Sequence, residues 1–435
     1  RSCLDRIKYH PPTPIMIQLT RLFLPVLILF LSVQAKAQTS TVSPYSRFGP
    51  GDVLFNGFAH QRAMGGTGIA ESNVARLNCF NPASYGYDTL MVFEFGISGD
   101  RTWLKQGDLT SEKWNARIDY LVLGMPIWRN KMGLAFGMLP FNGIGYSIET
   151  NTAIDSANTL STKYEGKGGY NKYFIGTGLK VTKNLSLGVN ASYLFGSMQQ
   201  SRVAEYSDDN FMGTRLYDDI RMGDFLFDFG AHWRSELKND YVLTLGATYG
   251  LEQELKARRA LLWETFRENS FGVDVTKDTI EFDDNEGGTV VMPMSFGFGA
   301  QLAKGEKWLV RSDFRYQQWS NYESFKGKDS LSNSYRISLG GQYTDDPKSP
   351  RNVQYRAGVY FNRSYLQLRN TEFNEVGVSC GLALNLMRAY ASKLNFTIEA
   401  GQRGTETNNL IRERFVRFSF GLTFNENWFQ KRKYE

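Results

Sequence analysis

What the chain lacks narrows its class before any motif is read. Only one stretch, Leu22–Val33 (LFLPVLILFLSV), is continuously apolar; it carries Pro25 and is too short to span a bilayer comfortably. With a mean hydropathy of −0.37, this excludes a bundle of transmembrane helices. Cysteine is nearly absent: beyond Cys3, the chain has only Cys79 and Cys380, which excludes a disulfide scaffold. Histidine is equally scarce. Past the apolar run only His60 and His232 remain, with no H-E-x-x-H and no Cys/His cluster, so neither a metal, a cofactor nor an enzyme's nucleophile-and-base set is expected. The net charge of +6 is spread along the chain without a basic block, which argues against nucleic acid as a partner.

What is present at the N-terminus reads as an export signal. Arg21 precedes the apolar run and Ala35-Lys36-Ala37 follows it as a small-x-small cleavage site, so a signal peptide cut before Gln38 is expected rather than a signal anchor. Residues 1–15 have no signal character, and Met16 is the expected start.

From about residue 90 onward, side chains alternate with period two. In Val416–Phe424 (VRFSFGLTF) the odd member set is polar or glycine, while Val416, Phe418, Phe420, Leu422 and Phe424 are apolar. The same split recurs in Val376–Leu386, Leu185–Gly196, Tyr241–Gly250, Tyr335–Thr344 and Leu394–Gly401. Successive strand residues point to opposite faces, so each segment has one apolar and one polar face. A soluble sandwich would share that pattern, but three features favour a membrane barrel. The strands are long enough to cross a bilayer. About fourteen of them are separated by alternately short links (Trp128–Lys131, Thr182–Asn184, Leu237–Asp240) and long ones (Glu149–Tyr170, Gln199–Asp218, Leu251–Gly288, Asn321–Ser332). Aromatics sit at strand ends: Trp308, Trp319, Tyr355, Phe361, Phe424 and Trp428. The fold class expected is all-β, a transmembrane antiparallel β-barrel in a Gram-negative outer membrane.

Charges at polar strand positions bear this out. Arg311, Asp313, Arg315, Arg336, Arg356, Glu399 and Arg417 would each cost roughly 2–4 kcal/mol if an arginine faced mid-bilayer lipid, so they are expected in the lumen. They either brace a filled interior as a self-neutralising network or hold a ligand's acidic group. Cys380 falls in the outward set and Cys79 precedes the barrel, so two isolated thiols are expected.

Ser43–Tyr87 does not alternate; it is dense in Gly, Asn, Ser and Pro. An exposed loop of that length would be unusual, and lumen polar groups could satisfy its backbone. It is therefore expected inside the barrel as a plug. Gly65-Gly66-Thr67-Gly68 has no preceding strand and no Walker lysine, which sets aside a nucleotide loop.

Within this segment Arg62–Ala70 (RAMGGTGIA), then Asn81-Pro82-Ala83, then a strand opening with Phe93-Glu94, resembles the hatch of the FadL-type outer-membrane transporters of long-chain fatty acids and aromatic hydrocarbons. The resemblance covers roughly Ser43–Ile97; beyond it, only strand number and loop alternation match. It implies a fourteen-strand barrel plugged by the hatch, with Gly65, Gly66, Gly68, Asn81, Pro82 and Ala83 in the hatch motif. It further implies an inward kink in the third strand that releases apolar ligand sideways. The third strand here carries Pro140, Phe141, Asn142, Gly143 and Gly145, either that kink or an ordinary bulge. An outer-loop ligand groove is implied too, for which Leu261, Leu262, Trp263 and Phe266 are candidates, unless they extend a strand.

The expected organisation is 1–37 upstream residues and signal peptide, 38–89 hatch, 90–429 barrel and 430–435 a charged periplasmic tail. The expected function is passive transport of a hydrophobic small molecule, fatty-acid-like or aromatic, with hatch-gated lateral release into outer-membrane lipids. The alternative is a non-transporting barrel that partners other outer-membrane or periplasmic proteins in a secretion or assembly complex. The charged C-terminal tail, where such barrels more often end on an aromatic, keeps that alternative open.

Overall fold

The computed structural model describes residues 41–427, apart from 156–157, 209, 270, 272, 326, 350–351 and 387–391. The expected signal peptide, Met16, Trp428 and the charged tail lie outside the described residues.

Fourteen antiparallel strands form one closed ring. They are β1 (Met91–Gln106), β2 (Leu109–Trp128), β3 (Met132–Pro140, continuing as Asn142–Ala153), β4 (Thr159–Lys180), β5 (Leu185–Tyr206) and β6 (Gly213–Glu236). There follow β7 (Tyr241–Gly250 and Gln253–Glu268), β8 (Asp274–Met292 and Ser295–Lys304), β9 (Trp308–Gln317) and β10 (Ser334–Thr344). The last four are β11 (Val353–Leu368), β12 (Thr371–Asn385), β13 (Lys393–Arg403) and β14 (Arg412–Glu426). Each strand pairs with its sequence neighbours, and the ring closes where β1 meets β14 from Met91↔Glu426 to Lys105↔Arg412. Closure removes the free edges that an open sheet would expose to lipid, where every backbone polar group must find a partner within the protein.

The period-two pattern sorts side chains as the sequence implied. The alternate residues Phe225, Phe227 and Phe229 of β6, Ile337 and Leu339 of β10, and Val376, Val378 and Leu382 of β12 are exposed on the outer face. Between such residues, Ser338, Gln342, Ser379, Thr397, Ser419 and Thr423 are buried in the lumen. All seven lumen charges expected from the sequence lie in the inward phase, with Arg311, Asp313, Arg356 and Glu399 buried. Cys380 is exposed on the outer face, Cys79 lies in the N-terminal segment, and both thiols are free.

Two expectations are corrected. Most of the long outer connections are not loops. Within Glu149–Tyr170, Gln199–Asp218 and Leu251–Gly288 most described residues are strand, because β3 to β8 go on pairing beyond the apolar band as a tall outer wall. The outer side also has tight turns, as at Arg369-Asn370 between β11 and β12, where both residues take positive φ (50° and 58°) as a two-residue hairpin turn requires. Trp319 belongs to no interfacial girdle; it is buried in the lumen on a short 3-10 turn, its ring 5.0 Å from Tyr365. The rim nearest the short turns instead carries Trp128, Trp233 and the edge-on pair Tyr241–Trp308, 5.9 Å apart.

Residues 41–88 lie within this ring. They form a 3-10 turn (Pro44–Arg47), a two-residue strand (Asp52–Val53), one turn of helix (Ala59–Arg62) and a second 3-10 helix (Pro82–Tyr87). Two apolar clusters fix the segment. One joins Phe58, Leu77 and Tyr85 to Tyr120, Val122 and Phe174 of the wall. The other, nearer the outer side, joins Tyr45 to Ile144, Tyr170, Trp319, Tyr365 and Phe373.

Candidate functional site: the plugged lumen

The plug is gripped through its backbone by the lumen charges. Gly65 and Gly66 have φ of +69° and +84°, values a side chain would disfavour, and this turn presents successive peptide groups to the wall. The amides of Gly68 and Ile69 both donate to Asp313 Oδ2, at 2.6 and 2.9 Å. Arg311 Nη1 donates to the Thr67 carbonyl at 3.0 Å, Arg315 Nη2 to Gly66 at 3.1 Å and Arg336 Nη2 to Gly65 at 3.2 Å. Ser379 Oγ accepts from the Gly65 amide at 2.9 Å. Thus the motif glycines and four of the seven lumen charges meet in one interface, which satisfies a buried turn that makes no ladder of its own.

The Asn81-Pro82-Ala83 turn is held differently. Asn81 Oδ1 caps the 3-10 helix by accepting from the Ala83 amide at 3.1 Å. Its Nδ2 donates to the carbonyls of Ile69 (2.9 Å), Ala231 (3.1 Å) and Ala247 (3.3 Å), tying the plug to β6 and β7. Close approach requires glycine in the wall. A Cβ added at Gly188 would lie 2.3 Å from the Pro82 carbonyl carbon, and one at Gly230 would lie 2.0 Å from Asn81 Oδ1.

At the centre of the plug stands Glu71, which no motif or periodicity singles out. It is buried and accepts from Gln61 Nε2 at 2.9 Å, with His60 Nε2 and Arg311 Nη2 each at 3.3 Å and Arg76 Nη1 at 3.8 Å. Burial works to raise its pKa, but Arg311, His60 and Arg76 hold the carboxyl well below the usual carboxylate range. Burial also pushes His60 down to about 4, against the pull of Glu71, so the imidazole is neutral at pH 7 and its contact with Glu71 is a hydrogen bond. Arg62 spans the other side, donating to the Gly57 carbonyl at 3.0 Å and lying 3.4 Å from Asp119 of β2.

The remaining lumen charges form separate groups. Arg356 donates to the side chains of Gln342 (2.9 Å), Asn395 (2.8 Å) and Gln354 (2.6 Å). Glu399 accepts from Tyr360 Oη at 2.6 Å and lies 3.5 Å from Arg417.

Above the plug lies a cavity of about 380 Å³. Leu54, Phe55 and Phe80 form part of its floor, and Tyr45, Phe141, Trp319, Tyr365 and Phe373 supply apolar wall. Its charged lining is predominantly basic: Arg117, Lys172, Arg315, Arg336, Arg403 and Arg417 against Asp52, Asp228 and Glu375. Two guanidinium groups lie on rings, Arg315 over Phe80 at 3.8 Å and Arg336 over Tyr360 at 3.7 Å, which lowers the cost of holding cations beside apolar surface.

The third strand breaks at Phe141. Below the break, Met132–Met138 pair with β2; above it, Ile144–Ala153 pair with β4 but not with β2. The place beside the break is taken by the plug, Asp52 pairing with Gly143 and Val53 with Asn142, with the Leu54 amide donating to the Phe141 carbonyl at 3.0 Å. Gly145 donates through its amide to Ser46 Oγ at 3.1 Å. Pro140, Phe141, Asn142, Gly143 and Gly145 therefore surround one discontinuity in the wall, against the cavity.

The four residues proposed for an outer-loop groove lie instead on β7, paired on both sides with β6 and β8. Leu261 and Phe266 are buried, Phe266 beneath Arg215 at 4.9 Å, and Trp263 is exposed. They build the outer wall and form no loop groove.

Comparison with solved structures places the fold among the FadL-type barrels. The CymD monoaromatic hydrocarbon channel matches with a TM-score of 0.55 at 14% identity over 88% of this chain and 100% of its own. The Ralstonia pickettii toluene transporter TbuX matches at 0.57 and 13%, over 85% of this chain and 98% of its own. A Pseudomonas aeruginosa FadL homologue matches at 0.55 and 12%, over 85% and 98%. No curated protein matches the sequence. The BamG family model matches residues 16–435, nearly the whole chain, and the protein, an outer-membrane β-barrel with a FadL-type fold, belongs to the BamG family.

Proposed function

We propose that the barrel passes a hydrophobic small molecule, fatty-acid-like or aromatic, from the outer side into the membrane, without an energy source. The observation that carries this reading is the coincidence of the cavity with the break in β3. Phe141 lines the cavity, and above it β2 and β3 are not hydrogen-bonded to each other. The structural neighbours CymD and TbuX, described as a monoaromatic hydrocarbon channel and a toluene transporter, lend the substrate class. Of the six lining cations, Arg117, Arg315, Arg403 and Arg417 are ion-paired with Asp100, Asp313, Asp52 and Glu399, so a molecule with an acidic head would be met chiefly by Lys172 and Arg336.

In this mechanism the molecule enters the cavity above the plug, and the Asp52–Val53 strand then leaves the β3 edge. The paired residues are few, each net backbone bond contributing about 1 kcal/mol. Asp52 is tied more firmly: Arg403 Nη1 lies 2.8 Å from it and Thr41 Oγ1 donates at 2.7 Å. Opening therefore means breaking the Asp52–Arg403 pair, which an acidic ligand could do by competing for Arg403. Replacing the Phe141–Gly145 bend with a regular alternating strand should abolish uptake of a fluorescent fatty acid into liposomes while heat-modifiable gel mobility shows a folded barrel. Unchanged uptake would remove the lateral route.

A second reading, a non-transporting barrel that partners other envelope proteins, is favoured by the tall outer wall and by a plug whose turn is held at every peptide from Gly65 to Ile69. An apolar molecule retained in the cavity of the purified protein supports transport. Stoichiometric co-purification of other outer-membrane proteins with an empty cavity supports the partner role.

A further inference from the structure

The outer wall ends in two strand edges, and they differ in chemistry. One is the upper part of β3. The other is β8, which pairs with β7 from Asp274 to Met292 but on its far side meets only Glu323, opposite Val291. The Phe325 ring covers Gly288. From Asp274 to Gly287, every residue is exposed and no strand lies on the outer edge among the described residues. That is roughly 40 Å of strand whose outer edge meets no other strand, although its pairing with β7 shifts register at three places, between Thr276 and Asp278, Thr279 and Glu281, and Asp283 and Glu286.

This edge is strongly acidic. Six acids (Asp274, Asp278, Glu281, Asp283, Asp284 and Glu286) stand against Lys277 alone. Asp274 and Glu286 turn back to Arg215 and Arg259 of the wall, at 3.2 and 3.5 Å, leaving the central acids facing solvent. Among them Ile280 and Phe282 are 48% and 66% exposed, well beyond what a solvated acidic surface needs. The β3 edge, Ser147–Ala153, carries only Glu149.

We propose that the Asp274–Gly287 edge docks an extended segment of a partner protein that alternates basic and apolar residues and adds to the wall as a further strand. A free edge can be completed as a ladder only by another backbone. The acids choose its charge, since like charges directly opposite on paired strands destabilise the pairing. They also repel anionic lipid and polysaccharide. Ile280 and Phe282 supply the apolar contact between the ion pairs. The inference is independent of transport: it can fail with uptake intact, and uptake can fail with docking intact.

The test uses the full-length protein in detergent micelles and a fluorescent ten-residue peptide of alternating Lys and Val, with a Glu–Val peptide and a Lys–Val peptide N-methylated at every second residue as controls. Fluorescence anisotropy should show binding of the Lys–Val peptide that weakens at least tenfold in the triple variant D278K/D283K/D284K, whose heat-modifiable mobility reports an intact barrel. The N-methylated peptide, with one hydrogen-bonding edge blocked, should not bind. A photo-cross-linking residue in place of Phe282 should capture the Lys–Val peptide. No binding of that peptide, equal binding by the triple variant, or equal binding of the N-methylated peptide would each overturn the proposal, the last by reducing it to charge adhesion.

Discussion

Replacing Asp313 by alanine should loosen the plug without opening the barrel. The carboxylate accepts from the Gly68 and Ile69 amides at 2.6 and 2.9 Å and lies 3.3 Å from Arg315 Nη2. Asp313→Ala strands two buried amides, each at a cost of about 1–3 kcal/mol. Water entering the vacated space beside Gly299 pulls the total toward the lower end, about 3 kcal/mol. At about 1.4 kcal/mol per factor of ten, that is a roughly hundredfold rise in the population of the undocked turn. Hydrogen exchange read by mass spectrometry on peptides covering residues 62–71 measures it directly, because opening of the turn exposes these amides while the strand ladders stay protected. Asp313→Asn keeps an oxygen acceptor but loses the charge, and should fall between wild type and alanine, at about 1 kcal/mol. If Asp313→Ala left exchange within about threefold of wild type, the plug would be held by its apolar contacts alone. Satisfaction of its backbone amides would then contribute nothing to docking.

Two further outcomes follow from the same interface. Gly188→Val places branched carbon where even a Cβ would lie 2.3 Å from Pro82, so the Asn81-Pro82-Ala83 turn should be displaced and become cleavable by added protease, with the barrel itself still heat-modifiable; a protease-resistant plug would count against the close fit. Acid should also release the plug. His60 is neutral and buried with a pKa near 4, against 6.5 for the free side chain, so the unfolded segment binds more protons between these values. Its contribution to docking is complete above pH 6.5 and declines as pH falls toward about 4, by up to about 3 kcal/mol. Glu71, held below the ordinary carboxylate range, adds its own loss only at still lower pH. Exchange of residues 60–71, corrected for intrinsic rate, should accelerate from pH 7 to pH 5 in wild type and much less in His60→Gln; parallel curves would refute the assignment.

The sequence by itself determined the ring. Alternation across Val376–Leu386 or Val416–Phe424 follows from lipid on one side and packed polar side chains on the other, and the strand count, the outward Cys380 and the inward arginines came with it. The same logic explains where it misled. Above the membrane neither face of β8 meets lipid, so Asp274–Gly287 has no alternation and reads as loop although its backbone pairs with β7 along its length, across three register shifts. Trp319 reads as an interfacial tryptophan because sequence records its hydrophobicity but not the inward turn that buries it. The wall glycines were visible as small residues on the inner phase. Only the tertiary structure showed that Gly188 and Gly230 mark where a turn more than 100 residues away touches the wall. Likewise Pro140 and Gly143 signalled a break, but what fills it, the Asp52–Val53 strand, was decided by the fold. Period and composition are local properties and survive in one dimension. The grip of Asp313 on Gly68 and the gathering of Arg76, Arg311 and the neutral His60 around Glu71 depend on which inward faces the closed ring brings together, and no local pattern encodes that.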